Sequence, residues 1–139
     1  MKLAYPVLIA KQQNDYLVYV PDMELYTEGK SPADAIAMAR DAIGLKGIDL
    51  EDEHIAFPAP STYEEAQQKA KEEADDFDYS SGICTLVDVD FAEYRKKLNH
   101  LSIKKNCTIP YWLSVEADKA GLNYSRLLQD AIRRELHEA

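Results

Sequence analysis

Cysteine, histidine and long apolar runs are scarce in this chain of 139 residues. Its two cysteines, Cys84 and Cys107, fit a reduced cytoplasmic protein, and without clustered histidines they lack the spacing of zinc ligands. No run of about 18 apolar residues occurs, which argues against a membrane-spanning helix. The opening stretch, MKLAYPVLIAKQQND, lacks a small-residue cleavage site, so we expect a first strand there and no signal peptide.

The motifs of a catalytic site are also missing. The three histidines are scattered, and none has a metal-binding spacing such as HExxH. No glycine-rich phosphate loop follows a predicted strand, and Ser80-Ser81-Gly82 precedes a strand, unlike a nucleophile elbow. Asp88 and Asp90 could pair on a metal, but we expect them instead on the water-facing side of a strand. We therefore predict an interaction protein without enzymatic activity, cofactor or metal.

Charge, by contrast, is abundant and unevenly distributed. Residues 1–100 contain 20 acidic and 10 basic residues, a net charge of −10, and residues 101–139 contain 5 acidic and 6 basic, a net charge of +1. An acidic surface disfavours nucleic acid and suits a basic partner, although acidity can also serve solubility alone. The near-neutral tail could bind DNA through five of its six cations, which are Lys104, Lys105, Arg126, Arg133 and Arg134.

Three strands are expected in the first part of the chain, at residues 3–10, 16–20 and 24–28. Their residues are mainly β-branched and aromatic, and polar turn residues separate them. Pro6 indicates an edge position or a bulge within the first strand. A fourth strand is predicted at 83–91, where apolar residues alternate along the chain.

Helices are expected between the third and fourth strands. Ser31 is a candidate N-cap with Pro32 at the first helical position, and Gly44 and Gly47 should weaken the end of this helix. Ser61 followed by Glu64 is a capping-box pattern for a polar helix over 62–74. The order β-β-β-α-(α)-β predicts an α+β fold with its helices on one side of the sheet.

The charged stretch 92–102 is the best domain boundary, a hinge or short helix between a domain at 1–91 and a tail at 103–139. In the tail, alternation over IKKNCTIP places Lys104, Asn106 and Thr108 on the polar face of a strand. A lone strand is unstable, so a second copy of the chain is expected to supply its partner. Two amphipathic helices follow and meet at Gly121, the expected left-handed stop.

This β-α-α tail resembles the ribbon-helix-helix family of dimeric repressors, in which a two-stranded ribbon enters the major groove of DNA. The resemblance implies that Lys104, Asn106 and Thr108 face the bases. Asn123 and Ser125, at the start of the second helix, would contact phosphates, which the positive end of a helix favours.

Two other interpretations of the tail remain open. Ala117, Gly121 and Leu127 also fit the spacing of a helix-turn-helix core, in which residues 123–134 would form the recognition helix. Alternatively, the tail is a dimerisation element alone, which explains its apolar faces but not the polar face of the strand.

The whole chain resembles the HicB family of antitoxins. The shared features are a Tyr-Pro on the first strand, a Val-Pro-Asp after the second, a Thr-x-Gly before an Ala-rich helix, and FPAPS at 57–61. The family often has a Gly-Cys after Pro-Asp, whereas this chain continues MELYTEG.

The HicB resemblance implies a partial ribonuclease-H-like domain without nuclease activity. That domain would bind and neutralise a small, basic, mRNA-cleaving HicA toxin, and the dimeric tail would repress the protein's own operon by binding promoter DNA. The alternative is a stand-alone dimeric transcriptional regulator whose N-terminal domain senses a small ligand.

Overall fold

The computed structural model describes residues 1–73 and 77–138, and the chain divides into two compact units, Met1–Leu101 and Ser102–Ala139. The first unit contains strands β1 (Lys2–Gln12), β2 (Asp15–Val20), β3 (Leu25–Gly29) and β4 (Ile83–Asp90), with helices α1 (Pro32–Asp52), α2 (Tyr63–Glu72) and α3 (Phe91–Asn99). The second unit contains α4 (Tyr111–Lys119) and α5 (Tyr124–Glu138). The predicted α+β class is confirmed. Across the described ranges, no helix has the length and apolar character to cross a membrane.

The four strands form one antiparallel sheet in the order β3-β2-β1-β4, so β1 is an interior strand. At Pro6 itself, however, β1 is paired only with β4, so this residue lies at an edge position, as expected. The pairing of β1 with β2 runs from Leu8 opposite Tyr19, and β2 ends at Val20. Pro6 lies beyond that end, where β2 offers no carbonyl that would need a backbone N–H from β1.

Helices cover both faces of the sheet. On one face, Tyr5, Val7 and Val18 are fully buried under α1, which contributes Ala39 and Ile43 to the same cluster. On the other face, Leu8 and Tyr19 pack against Ala66 and Ala70 of α2. The prediction that all helices lie on one side of the sheet was wrong. Helix α2 is mostly polar, but Ala66 and Ala70 lie four residues apart on one face and are enough to pack it against the sheet.

Helix α1 begins as predicted, with the Ser31 hydroxyl oxygen accepting a 3.0 Å hydrogen bond from the N–H of Asp34. It does not weaken at its glycines, which lie buried within it. A Cβ on Gly47 would lie 2.2 Å from Cε1 of Phe91, and one on Gly44 would lie 2.7 Å from Cδ2 of Tyr94. The glycines therefore admit the aromatic rings of α3, and helix geometry continues through them to Asp52.

Helix α3 occupies most of the stretch that was predicted as a hinge or short helix, and it belongs to the first unit. The Tyr94 hydroxyl hydrogen-bonds the Asp41 carboxylate on α1. Arg95 donates a 2.8 Å hydrogen bond to Asp52, at the end of the same helix. These contacts fix α3 against α1.

The capping box of α2 lies one residue later than predicted. The N–H of Thr62 donates to Glu65 at 3.0 Å, and the N–H of Glu65 donates to the Thr62 hydroxyl at 3.2 Å. Ser61 is instead held by Asp22, which accepts its N–H at 2.9 Å. The helix ends at Glu72, and its predicted end at Ala74 lies outside the described residues.

The close contact at Gly47 yields a stability prediction. Gly47→Ala should lower the free energy of unfolding by about 1–3 kcal/mol, because the methyl group overpacks against Phe91. The exposed neighbour Lys46→Ala is the control and should have little effect. Denaturant titration measures both. A more stable Gly47→Ala protein would mean that the helical preference for alanine, about 1 kcal/mol, outweighs the contact.

Candidate functional site

The two helices of the second unit are joined by a hydrogen-bonded turn. Gly121 has a φ of +65°, as predicted for the stop of α4. Its N–H donates to the carbonyl of Asp118, and the N–H of Leu122 donates to the carbonyl of Ala117, both at 3.1 Å. This pair of bonds is the Schellman motif, which satisfies carbonyls at the end of a helix.

The start of α5 is capped by Asn123. Its side-chain oxygen accepts a 3.1 Å hydrogen bond from the N–H of Arg126, which leaves the amide NH₂ as a donor. Ser125 is exposed in the first turn, where backbone N–H groups have no acceptor within the helix. The Tyr124 hydroxyl donates to Asp118, and this hydrogen bond raises the pKa of the Tyr124 phenol. The two residues predicted to contact phosphate thus lie together at a helix start that suits an anion.

Residues 101–110 have no regular secondary structure in this single chain, although alternation is visible within them. Lys105, Cys107 and Ile109 line a groove that α5 closes with Tyr124 and Leu128. The even-numbered residues are exposed and outside that lining; they are Lys104, Asn106 and Thr108. The strand itself stays a prediction, because its expected pairing partner is a second chain.

Apolar side chains of the second unit are mostly exposed. Among its described side chains, Ala117 alone is buried, at 8% exposure. Tyr111 is 85% exposed and Trp112 is 66% exposed. The predicted apolar face of α5 is also open to solvent, with Leu127, Leu128, Ile132 and Leu136 all more than 40% exposed. An isolated unit of this kind buries too little apolar surface for an independent core, so it needs a further surface to cover it.

The cations of the second unit differ in their surroundings. Arg133 lies 3.4 Å from Asp130, and Lys119 lies 3.9 Å from Glu116. In the part of the chain that the structure describes, Lys104, Lys105 and Arg126 form no ion pair. These three residues are therefore available to a polyanion.

The described residues of the first unit contain no group of three or more His, Cys, Asp or Glu side chains that could hold a metal ion. The carboxylate of Asp88 accepts a 3.3 Å hydrogen bond from Arg40 and lies 3.6 Å from the ammonium group of Lys2. The hydrogen bond from Arg40 lowers the pKa of the Asp88 carboxyl group. Asp90 instead caps α3 by accepting a 3.2 Å hydrogen bond from the N–H of Glu93. Both carboxylates therefore have partners within the fold, and nothing supports the idea that they bind a metal ion together.

Carboxylates give the first unit an acidic exterior. No polar or charged residue among the described ones is buried, so these groups remain hydrated. Ion pairs tie some of them to cations, as in Asp15 with Lys30 at 2.8 Å. Within residues 1–73 and 77–101, no ion pair involves Asp49 and Glu53 near the end of α1, or Glu64 and Glu72 on α2.

An aromatic stack on the face of the sheet that α2 covers was not foreseen. Tyr26 stacks on Tyr19 with ring centroids 4.9 Å apart, and Tyr79 packs 5.4 Å from Tyr19. Burial and a hydrogen bond to Glu73 raise the pKa of the Tyr19 phenol, whereas Tyr26 is 59% exposed. Only the strand register, which places Tyr19 opposite Tyr26, could have revealed this cluster.

Comparisons with known proteins give a consistent picture. A model for a HicB-like antitoxin of bacterial toxin–antitoxin systems matches residues 5–131. The structure of a toxin–antitoxin complex from Streptococcus pneumoniae contains a chain 28% identical to this one, covering 97% of this chain and 99% of that chain with a TM-score of 0.61. The crystal structure of the Burkholderia pseudomallei antitoxin HicB is 23% identical over 99% of this chain and 98% of that one, with a TM-score of 0.51, and shares the fold. No curated protein matches significantly.

Proposed function

The chain belongs to the family of HicB-like antitoxins of bacterial toxin–antitoxin systems, and on this basis we propose that it captures a HicA-like toxin and binds operator DNA as a dimer. The family prediction is confirmed by the match over residues 5–131. An antitoxin family is not an enzyme class, which agrees with the prediction of a non-enzymatic protein. Family membership also favours an antitoxin over a stand-alone regulator that senses a ligand.

In this proposal residues 1–91 form a partial ribonuclease-H-like domain that holds the toxin. The similarity to a chain of a toxin–antitoxin complex over 97% of this chain is the observation that carries the proposal. The net charge of −10 over residues 1–100 supports a basic partner, since opposite charges steer association. The exposed, hydrated carboxylates are available for this role.

Toxin capture is tested by co-expression with a small basic protein encoded beside this chain. We expect the two proteins to copurify. We also expect residues 1–101 alone to restore the growth of cells that the toxin arrests, because the first unit has its own core. The tail fragment 102–139 is the control and should not protect. Complex formation should slow as salt rises, since screening weakens electrostatic steering. A folded 1–101 fragment that leaves the toxin fully active would contradict the proposal.

The second half of the proposal is a ribbon-helix-helix tail at residues 103–139. The exposed Lys104, Asn106 and Thr108 support it, since these residues lie opposite the side that faces the helices. Asn123 and Ser125 would add phosphate contacts from the start of α5. A second copy would supply the missing strand, cover the exposed apolar side chains and double the number of base contacts.

Dimerisation through the tail is tested at the apolar face of α5. Leu128→Glu should lower the oligomer mass about twofold, because it places a charge in the surface that the second copy would cover. Gln129→Glu adds the same charge one residue along the helix and should leave the mass unchanged. Sedimentation equilibrium distinguishes the two outcomes. An unchanged mass for Leu128→Glu would remove α5 from the interface.

The choice between ribbon and helix-turn-helix is tested with Asn106→Ala and Arg126→Ala. In a ribbon dimer, Asn106→Ala removes two base contacts worth about 1–3 kcal/mol each, so operator binding should weaken by about 2–6 kcal/mol. Affinity for random DNA should change little, because phosphate contacts remain. Arg126→Ala should not alter sequence preference.

Operator and non-specific affinities are measured for both variants at one salt concentration, because phosphate contacts make binding salt-dependent. The reverse ranking, with specificity lost in Arg126→Ala and kept in Asn106→Ala, would assign DNA reading to the last helix.

A further inference from the structure

The ring of Tyr26 has one covered face and one open face. Tyr19, on the neighbouring strand β2, stacks on the covered face with an angle of 12° between the two ring planes. Strand β3 is an edge strand of the sheet, so no strand of the described residues lies beyond the other face. Tyr26 is 59% exposed, although Tyr79 packs against it with ring centroids 6.0 Å apart. The open face is therefore a flat aromatic surface at the edge of the sheet.

The surrounding aromatic cluster holds the Tyr26 ring in one orientation. Tyr79 contacts both Tyr19 and Tyr26, and Phe77 packs edge-on against Tyr79 with ring centroids 5.1 Å apart. Tyr19 is only 1% exposed, and its hydroxyl hydrogen-bonds the Glu73 carboxylate. A ring that is already fixed in this way loses little conformational freedom when another protein binds to it.

Two glutamates flank the Tyr26 ring. Glu28 lies two residues after Tyr26 on β3, so its side chain projects from the same face of the strand. Glu24 precedes β3, and its carboxylate lies 3.6 Å from Lys69 on α2, the helix that covers this face of the sheet. Both glutamates are exposed, and within residues 1–73 and 77–138 Glu28 forms no ion pair. Negative charge therefore lies on both sides of the ring along the chain.

An aromatic face beside carboxylates suits a cation, and arginine fits it best. A guanidinium group stacks on the face of a tyrosine, while its N–H groups stay free to donate to carboxylates at the ring's side. The ammonium group of lysine is a strongly hydrated point charge and gains less from a flat surface. Among the described residues, the one contact between a cation and an aromatic ring is that of Lys11 over Tyr16, at 6.0 Å, so the open face of Tyr26 has no cation from the chain itself. The two carboxylates also disfavour DNA as the occupant, because they repel phosphates.

We propose that the open face of Tyr26, together with Glu24 and Glu28, is a docking surface for an arginine side chain of a basic partner protein. The guanidinium group stacks on Tyr26 and donates hydrogen bonds to Glu28, and Glu24 adds attraction from the other side of the ring. The inference rests on the proposed function, in which the first unit captures a basic protein. The net charge of −10 over residues 1–100 complements such a partner.

This docking surface also contributes to the choice of partner. Tyr26 and both glutamates belong to MELYTEG, the stretch in which this chain lacks the Gly-Cys that its family often has. A partner with an arginine at the matching position gains the stacking contact, whereas a partner with a carboxylate there meets two like charges. The surface therefore favours one basic protein over related ones that lack this arginine.

Titration calorimetry with the small basic protein encoded beside this chain tests the aromatic contact. Tyr26→Leu in the full-length chain should raise the dissociation constant about tenfold, because it removes the ring face and keeps an apolar side chain. Tyr26→Phe keeps the ring face and loses only the hydroxyl, so its dissociation constant should stay within about twofold of the wild-type value. Equal weakening by both variants overturns the proposal. So does wild-type affinity in a folded Tyr26→Leu chain, and a lower oligomer mass of that variant would then assign the ring to a second copy. No binding by the wild-type chain would contradict the proposed function itself, and this inference with it.

The carboxylates provide a second test that leaves the aromatic cluster intact. Glu28→Gln should weaken binding about threefold to fivefold, the range of an exposed ion pair. Glu53→Gln removes the same charge at the far end of α1 and is the matched control, with an expected change of less than about twofold. Because Tyr26 and Glu28 hold the same arginine, the double variant should lose less affinity than the product of the two single losses. Equal effects of Glu28→Gln and Glu53→Gln, or single losses that multiply fully, overturn the proposal.

Discussion

Burial of strand β1 on both faces is the constraint on which the first unit depends. Residues 5–10 of this strand are all buried, so each face needs its own cover. Helix α1 supplies it on the Tyr5 side, and α2 supplies it on the Leu8 side. The chain between the two helices must therefore pass from one face to the other, and the hydrogen bond from the Tyr5 hydroxyl to the carbonyl of Pro58, at 2.7 Å, holds that crossing segment. Strand β4 then pairs with the remaining edge of β1 and becomes the outer strand itself.

The second unit differs from the first, because local hydrogen bonds define its helices and it has almost no buried core. The turn at Gly121, the Asn123 cap and the bond from Tyr124 to Asp118 define two helices without burying their apolar faces. Such a unit gains most of its stability when another surface covers it. Folding and association are then coupled, and the DNA-reading strand of the proposed function would become ordered only in the assembled protein.

Features that depend on local sequence were predicted well, and features that depend on long-range contacts were not. Composition revealed β1 to β3 and alternation revealed β4, whereas the strand that alternation predicts in the tail stays a prediction. The Ser31 cap and the Gly121 stop were correct because caps need only neighbouring residues. Pro6 correctly indicated an edge position, but not that β1 becomes an interior strand from Leu8 onward, because the end of β2 decides where that pairing begins. The glycines of α1 misled because two rings far along the chain fill the space beside them, Tyr94 at Gly44 and Phe91 at Gly47. In the candidate site, the polar face at 104–108 and the cap at Asn123 were readable from sequence. The tyrosine stack required the register.

In the proposed function, the apolar face of α5 is covered by a second copy of the chain, and this has a consequence for DNA binding. Such an interface is shared by two copies through a two-fold axis, so the polar faces at 104–108 and the Asn123 caps would come in matched pairs. Operator affinity would then depend on the concentration of the chain as well as on its DNA contacts, because the complete reading surface would exist only in the assembled dimer.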